Sequence, residues 1–446
     1  MHHFFNLSLF ILLSIANSFI VEKSDKIIYI PYDLNFGAYF INISFGDPPQ
    51  NAYLAIDQEL SVTWTDAIHY KKENSLTCKE LSDTKLSFRK YNLFGKSIQD
   101  KINLSSTNST VLIDNFTFVS ITNTRGYDSR IGGVGLTHKL QNTSYSLIHH
   151  LKKNNYINNL EYSFIPNKYI NNNGSLTNGG FIFFGGMPQY LLLNKNQYQC
   201  KKTRKFNFWS CELQYIFLGK ISYSNKNNYY DNSDYSYFNG AERRILVPES
   251  FMKFLKNNYF NDQINENKCK YKMYGMNYLF ECFCDVVNNL TNISFIIDDY
   301  QYEFKPEELF EKYGGGFCNF LIQSNHLRNN NFLFGTPFLN KYISNFDYEK
   351  EYIEFFTNAI IIKVDLNKLF PWKKIVRYIV YFGLFGIIIG MLLSLIMLIY
   401  KLVKQNIPRT ESNLLIRRRS ESHSHKRLIL LSKKYFNEQE EGYELQ

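Results

Sequence analysis

The chain has 446 residues, 45% of them hydrophobic and 20% charged, with a formal net charge of +10. A length of this order buries a large core and leaves room for about two domain-sized lobes. The positive balance does not indicate nucleic-acid binding: no basic stripe, zinc-ligand spacing or aromatic RNA-binding motif accompanies it, and much of the excess lies towards the C-terminus, where basic residues meet anionic lipid.

Taken in chain order, Met1-His2-His3, an apolar run over 4–15 and the small residues Ala16-Asn17-Ser18 read as a secretory signal peptide covering 1–18. From Ile27 to about Phe356, short β-type runs alternate with Asn/Gly/Ser turns. The clearest predicted strands cover 28–30, 38–45, 116–121, 181–184, 245–247 and 352–356. Three segments, 146–154, 250–259 and 306–313, read as short surface helices. The profile is mostly β, and the Asn-rich tracts at 225–232 and 329–331 read as loop insertions.

The seven cysteines, Cys78, Cys200, Cys211, Cys269, Cys282, Cys284 and Cys318, all precede the second apolar run. In a secretory setting they predict disulfides, with an odd thiol left over. Sequons at Asn42, Asn103, Asn108, Asn115, Asn142, Asn173, Asn289 and Asn292 agree with lumenal exposure. Residues 378–400 carry no charge and are long enough to cross a bilayer, since about 23 residues at 1.5 Å each exceed the ~30 Å hydrocarbon core. Tyr378, Tyr381 and Tyr400 lie near its ends. Lys401, Lys404, Arg409 and Arg417 to Arg419 follow it, against Lys373, Lys374 and Arg377 before it. That excess predicts a single-pass type I protein with a lumenal N-terminal part. In the tail, Glu411 to Ile416 resembles an acidic dileucine sorting signal, which implies an endosomal or lysosome-like compartment; the cell surface and a plain membrane-proximal segment remain the alternatives.

Residues 39–50, with Gly46-Asp47-Pro48-Pro49-Gln50, lead into Leu54-Ala55-Ile56-Asp57-Gln58-Glu59 and then Trp64. This stretch resembles the opening of the pepsin-like aspartic peptidases, in which a G-x-P-x-Q turn precedes Asp-Thr-Gly and a Trp. Further matches follow in the family's order: Asp128 to Leu136, 146–157, Glu161 to Ile165, Gly179 to Met187, Trp209 to Gly219, Asn292 to Asp299 with Phe317-Cys318, and Phe332 to Asp347. The resemblance covers about 27–356. It implies a mostly β, bilobal pepsin-like fold with an N-terminal lobe over 19–190, a C-terminal lobe over 191–358, a juxtamembrane linker over 359–377, the transmembrane helix over 378–400 and a cytoplasmic tail over 401–446.

The same resemblance implies peptide hydrolysis by two aspartates that share one proton, one acting as base and the other as acid. No cofactor or metal is implied. Asp57 stands at the first aspartate position. Pro248 anchors the second, because 245–255 resembles the segment that follows that loop, and counting back nine residues gives Asn239, followed by Gly240-Ala241-Glu242-Arg243. An amide does not exchange a proton with Asp57, so the dyad is expected to be Asp57–Asn239 and hydrolysis to be impaired. Asp234, the nearest upstream carboxylate, is the alternative partner, and with it an active, divergent endopeptidase. Gln58 and Glu59 replace the family's Thr and Gly. Gln58 retains the ability to hydrogen-bond across to the other lobe, whereas Glu59 adds a like charge beside Asp57 that raises the pKa of one carboxylate. Arg243 and Arg244 are expected to neutralise Asp57 or Glu59. Tyr91, with Phe88 as alternative, is the candidate flap tyrosine over the cleft. The site residues are therefore Asp57 and Asn239 at the catalytic positions and Tyr91, Gln58 and Gly240 for binding. The expected partners are a peptide or protein in the interlobe cleft and membrane lipid around one helix, with no nucleic acid.

Overall fold

The computed structural model describes residues 26–364, apart from 89–90, 106–109, 124–131, 139–142, 171–178, 202–207, 224–233, 276 and 325–330, and then 372–406. The expected signal peptide, the Asn-rich tracts and the tail beyond 406 lie wholly or mainly outside the described residues. By contacts the chain divides into two units, one up to Leu366 and one from Asn367.

The first unit is mostly β. Strand Ala38–Phe45 is buried along nearly its whole length, only Asn42 being exposed, as befits a strand covered on both faces. It pairs antiparallel with Gln50–Asp57, from Phe40 opposite Ala55 to Phe45 opposite Gln50. Gln50–Asp57 then runs parallel to Gly132–Gly135. That short strand is antiparallel to Trp64–Asp66, which in turn lies parallel to Thr110–Asn123.

The second half of the unit repeats this order. Ser210–Leu218 pairs antiparallel with Asp234–Phe238, which lies parallel to Phe332–Phe334. Phe332–Phe334 is antiparallel to Ile245–Val247, and Ile245–Val247 is parallel to Ile322–Ser324. The strand that ends at Asp57 and the strand that ends just before Asn239 therefore occupy matching places in two copies of one topology. Joining the halves is a run of strands in the order Asn196–Lys201, Tyr352–Thr357, Ile343–Asp347, Glu161–Pro166, Gly180–Phe184 and Ile28–Asn35. Sequence-distant strands thus form one antiparallel platform.

Two expected helices form: Leu147–Lys153, and Glu249–Asn258 with Phe251, Met252 and Leu255 on its buried stripe. The third does not. Pro306–Glu308 makes only a 3-10 turn, and Phe310–Gly314 is a strand paired with Phe317–Phe320. Gly314, Gly315 and Gly316 all take positive φ, which glycine tolerates and a helix excludes, so the chain reverses and Phe310 meets Phe320 at 4.9 Å. Three disulfides, Cys200–Cys211, Cys269–Cys282 and Cys284–Cys318, close the second half, and Cys78 is the free thiol.

Among the described residues, the second unit is the helix Trp372–Asn406. Its segment Tyr378–Leu402 spans 25 residues with a mean hydropathy of 2.7 and is long and apolar enough to cross a membrane, extending the expected 378–400 by two residues.

Candidate active site

Asp57 is the last residue of its strand, and its carbonyl accepts the Leu136 N–H at 2.9 Å. Asn239 follows its own strand directly, and its N–H donates to the Phe334 carbonyl at 3.0 Å. Each loop is thus fixed to the strand that runs parallel beside it. A glycine lets each loop pass. A Cβ on Gly135 would lie 2.8 Å from the Leu60 carbonyl oxygen and 2.6 Å from the Val62 nitrogen, and one on Gly335 would lie 2.2 Å from the Glu242 oxygen and 2.4 Å from the Arg244 oxygen. Leu60 and Val62 stand three and five residues after Asp57, as Glu242 and Arg244 stand after Asn239, so the duplication extends to these contacts.

The two loop tips meet. The Asn239 amide donates from Nδ2 to Asp57 Oδ1 at 3.0 Å, and the same oxygen accepts the Glu59 N–H at 2.9 Å. Asn239 Oδ1 accepts the Ala241 N–H at 3.0 Å and the Gln58 N–H at 3.3 Å. Each side chain therefore caps the turn two residues ahead of it, and the pair is joined across the middle. Gln58 adds a further cross-link: its Oε1 accepts the Gly240 N–H at 2.5 Å. Gly240 is required there, because a Cβ would lie 2.8 Å from the Tyr39 ring, and its carbonyl accepts the Tyr39 N–H at 2.8 Å. Gln58 and Asn239 are fully buried, and Asp57 and Glu59 nearly so.

Behind the first loop stands an aromatic buttress. The Leu136 carbonyl accepts from Trp209 Nε1 at 2.9 Å, from the Tyr348 hydroxyl at 2.9 Å and from the Tyr162 hydroxyl at 3.4 Å. Phe346 stacks on Tyr162 at 4.8 Å. Burial pushes the Tyr162 and Tyr348 hydroxyls well above the ordinary tyrosine range, which keeps them protonated donors. Sequence reasoning placed Trp209 in a strand match but missed this role, because residues from four distant segments meet only through the platform.

A model of the family described as eukaryotic aspartyl protease matches residues 38–357. The chain belongs to this pepsin-like aspartic peptidase family. Two curated relatives, the plasmepsin IV proteins of two isolates of Plasmodium falciparum, are each 28% identical to it over 210 residues. The matched stretch is 46% of this chain and 40% of each relative, so the chain spans less than half the length of the curated relatives it matches.

Within the aspartyl protease fold, the remaining candidate residues fall as follows. Asp234 opens the strand that ends at Phe238, so at ~3.3 Å per residue its backbone is about 16 Å from Asn239, too far to replace it beside Asp57. Arg243 and Arg244 turn elsewhere than expected. Arg243 pairs with Glu311, its stem lying against Gly37, and Arg244 donates to Gln323. The cause is the turn closed by the Glu242 N–H to the Asn239 carbonyl at 3.2 Å, after which the chain leaves the dyad. Burial and the adjacent Arg243 lower the Arg244 pKa from its ordinary value. Tyr91 pairs with Phe88 in the backbone register of the hairpin formed by Lys79–Phe88 and Tyr91–Ser105; their side chains lie outside the described residues.

Chemically, one carboxylate and one carboxamide face each other across the two loop tips. A carboxamide N–H donates a hydrogen bond but is far too weakly acidic to give up its proton near neutral pH, unlike a carboxyl group. The two turns are cross-linked to each other by these side chains.

Proposed function

We propose that this chain is a membrane-anchored pepsin-like homologue in which hydrolysis is impaired and the cleft between the lobes serves to bind a peptide or protein. One observation carries the reading: the Asn239 Nδ2–Asp57 Oδ1 hydrogen bond of 3.0 Å occupies the place of the proton that two aspartates share. The buried cross-links from Gln58 and Asn239 support it, because they keep the loops assembled without a second carboxylate. The helix Tyr378–Leu402 supports anchoring, and the basic residues after it support a type I orientation with a lumenal protease-like part in the secretory or endolysosomal system. The three disulfides and the exposed sequon residues Asn42, Asn115 and Asn289 agree with that compartment.

The test uses the full-length protein in detergent with a peptide library from pH 3 to 7, beside Asn239→Asp and Asp57→Asn. The reading expects peptide binding with no Asp57-dependent cleavage by the wild type. Cleavage by the wild type that disappears in Asp57→Asn establishes instead the active, divergent endopeptidase.

A further inference from the structure

A cavity of about 320 Å³ lies beside the second loop, walled by Leu34 and Gly37 from the first half of the fold and by Phe310, Leu321 and Pro337 from the second. Its volume is at the small end of the range for ligand sites and suits one side chain or a short polar fragment. Three cations and two carboxylates line it: Lys168, Arg243 and Lys341 against Glu308 and Glu311.

The two carboxylates are already engaged. Glu311 holds Arg243. Glu308 holds Lys341 at 2.5 Å and also accepts the Lys305 N–H at 2.8 Å. Lys341 is further committed to the Glu303 carbonyl at 2.7 Å. The charge left over is that of Lys168, which forms no ion pair among the described residues and lies 5.1 Å from the centre of the Tyr169 ring. A second donor is uncommitted: Arg243 Nε is buried with no hydrogen-bond partner among the described residues.

Two further features show that the site is held in place. Gly37 has φ +79°, and a Cβ there would lie 2.2 Å from Arg243 Cγ, so the arginine stem rests where only glycine leaves room. Thr336 donates to the Gly37 carbonyl at 2.6 Å, which ties the two walls together. Burial, with Lys341 adding to it and Glu308 opposing, lowers the Lys168 pKa, so an arriving anion would relieve an existing penalty. The cavity and the Asp57–Asn239 pair are served by the same two chain segments, since Arg243 follows Asn239 by four residues and Gly37 precedes Tyr39 by two.

We propose that this cavity receives a carboxylate carried by the peptide or protein in the neighbouring cleft, so that the chain selects acidic ligands. The inference rests on the peptide-binding reading above, and its test separates the two. Full-length protein in detergent is titrated with peptide pairs that differ only in Glu against Gln at each position, and separately with N-acetyl-glutamate amide followed by thermal shift. The expected result is about tenfold tighter binding of the Glu peptide at one position, the gain of one charge-assisted hydrogen bond. Lys168→Met abolishes that preference, bringing the Glu and Gln peptides to equal affinity, and Lys168→Arg retains it. Equal binding of both peptides by the wild type overturns the inference and leaves the peptide-binding reading intact. If no peptide binds, that reading fails, and the small acid decides: a Lys168-dependent thermal shift supports the carboxylate site, and its absence overturns it.

Discussion

Replacing Asn239 by Asp converts the amide donor into a second carboxyl at 3.0 Å from Asp57 Oδ1. Were both groups ionised, their repulsion at an effective dielectric of about 20 would be roughly 5 kcal/mol. The pair avoids this by keeping one proton, so the second ionisation moves up from the unfolded aspartate value of about 3.9 by about 3–4 units. A carboxyl whose folded pKa is raised binds more protons in the native than in the unfolded state. The variant's stability is therefore fully retained below pH ~4 and falls as pH rises through the folded value. Between pH 4 and 7 the loss relative to wild type reaches about 4 kcal/mol, at about 1.4 kcal/mol per pH unit. The assay is thermal or denaturant unfolding of wild type and Asn239→Asp at intervals from pH 3.5 to 7. Parallel curves for the two proteins across that range would show that Asp57 and residue 239 do not face each other as described.

Four other outcomes follow from the same contacts. Gln58→Ala strips the Gly240 N–H of its buried acceptor and lowers stability by about 1–3 kcal/mol in denaturant titration, whereas Gln58→Glu keeps the acceptor. Gly240→Ala drives a methyl to 2.8 Å from the Tyr39 ring, and overpacking of this kind costs about 1–3 kcal/mol, read as a lower Tm. Tyr348→Phe removes one of the donors on the Leu136 carbonyl and costs about 1 kcal/mol, with the other donors limiting the loss. Alkylation of the unreduced protein followed by peptide mapping finds Cys78 modified and the six other cysteines paired.

The fold was legible where local pattern and tertiary role coincide. Predicted strands 38–45 and 245–247 match Ala38–Phe45 and Ile245–Val247 because a buried strand beside an active loop is an unbroken apolar run. Asn239 was reachable because Pro248, the N-cap residue before helix Glu249–Asn258, fixes its distance from the loop. The segment after Pro306 misled, since its acidic start resembles a helix cap while its fate is set by three glycines and by Phe320. The expected pairing of Arg243 with the dyad failed for a related reason: residue type gave the charge, and the turn at Glu242 decided its direction. The aromatic buttress and the matching glycines 135 and 335 depend on strand pairings between distant segments, which leave no periodic trace in the chain.

The proposed loss of hydrolysis rests on Asn239, which gives Asp57 no carboxyl partner with which to share a proton. Its most direct test is the cleavage rate of a peptide library by full-length wild-type protein and by Asp57→Asn, measured side by side from pH 3 to 7. Equal, background rates are expected for both proteins. Wild-type cleavage well above background that vanishes in Asp57→Asn would contradict it.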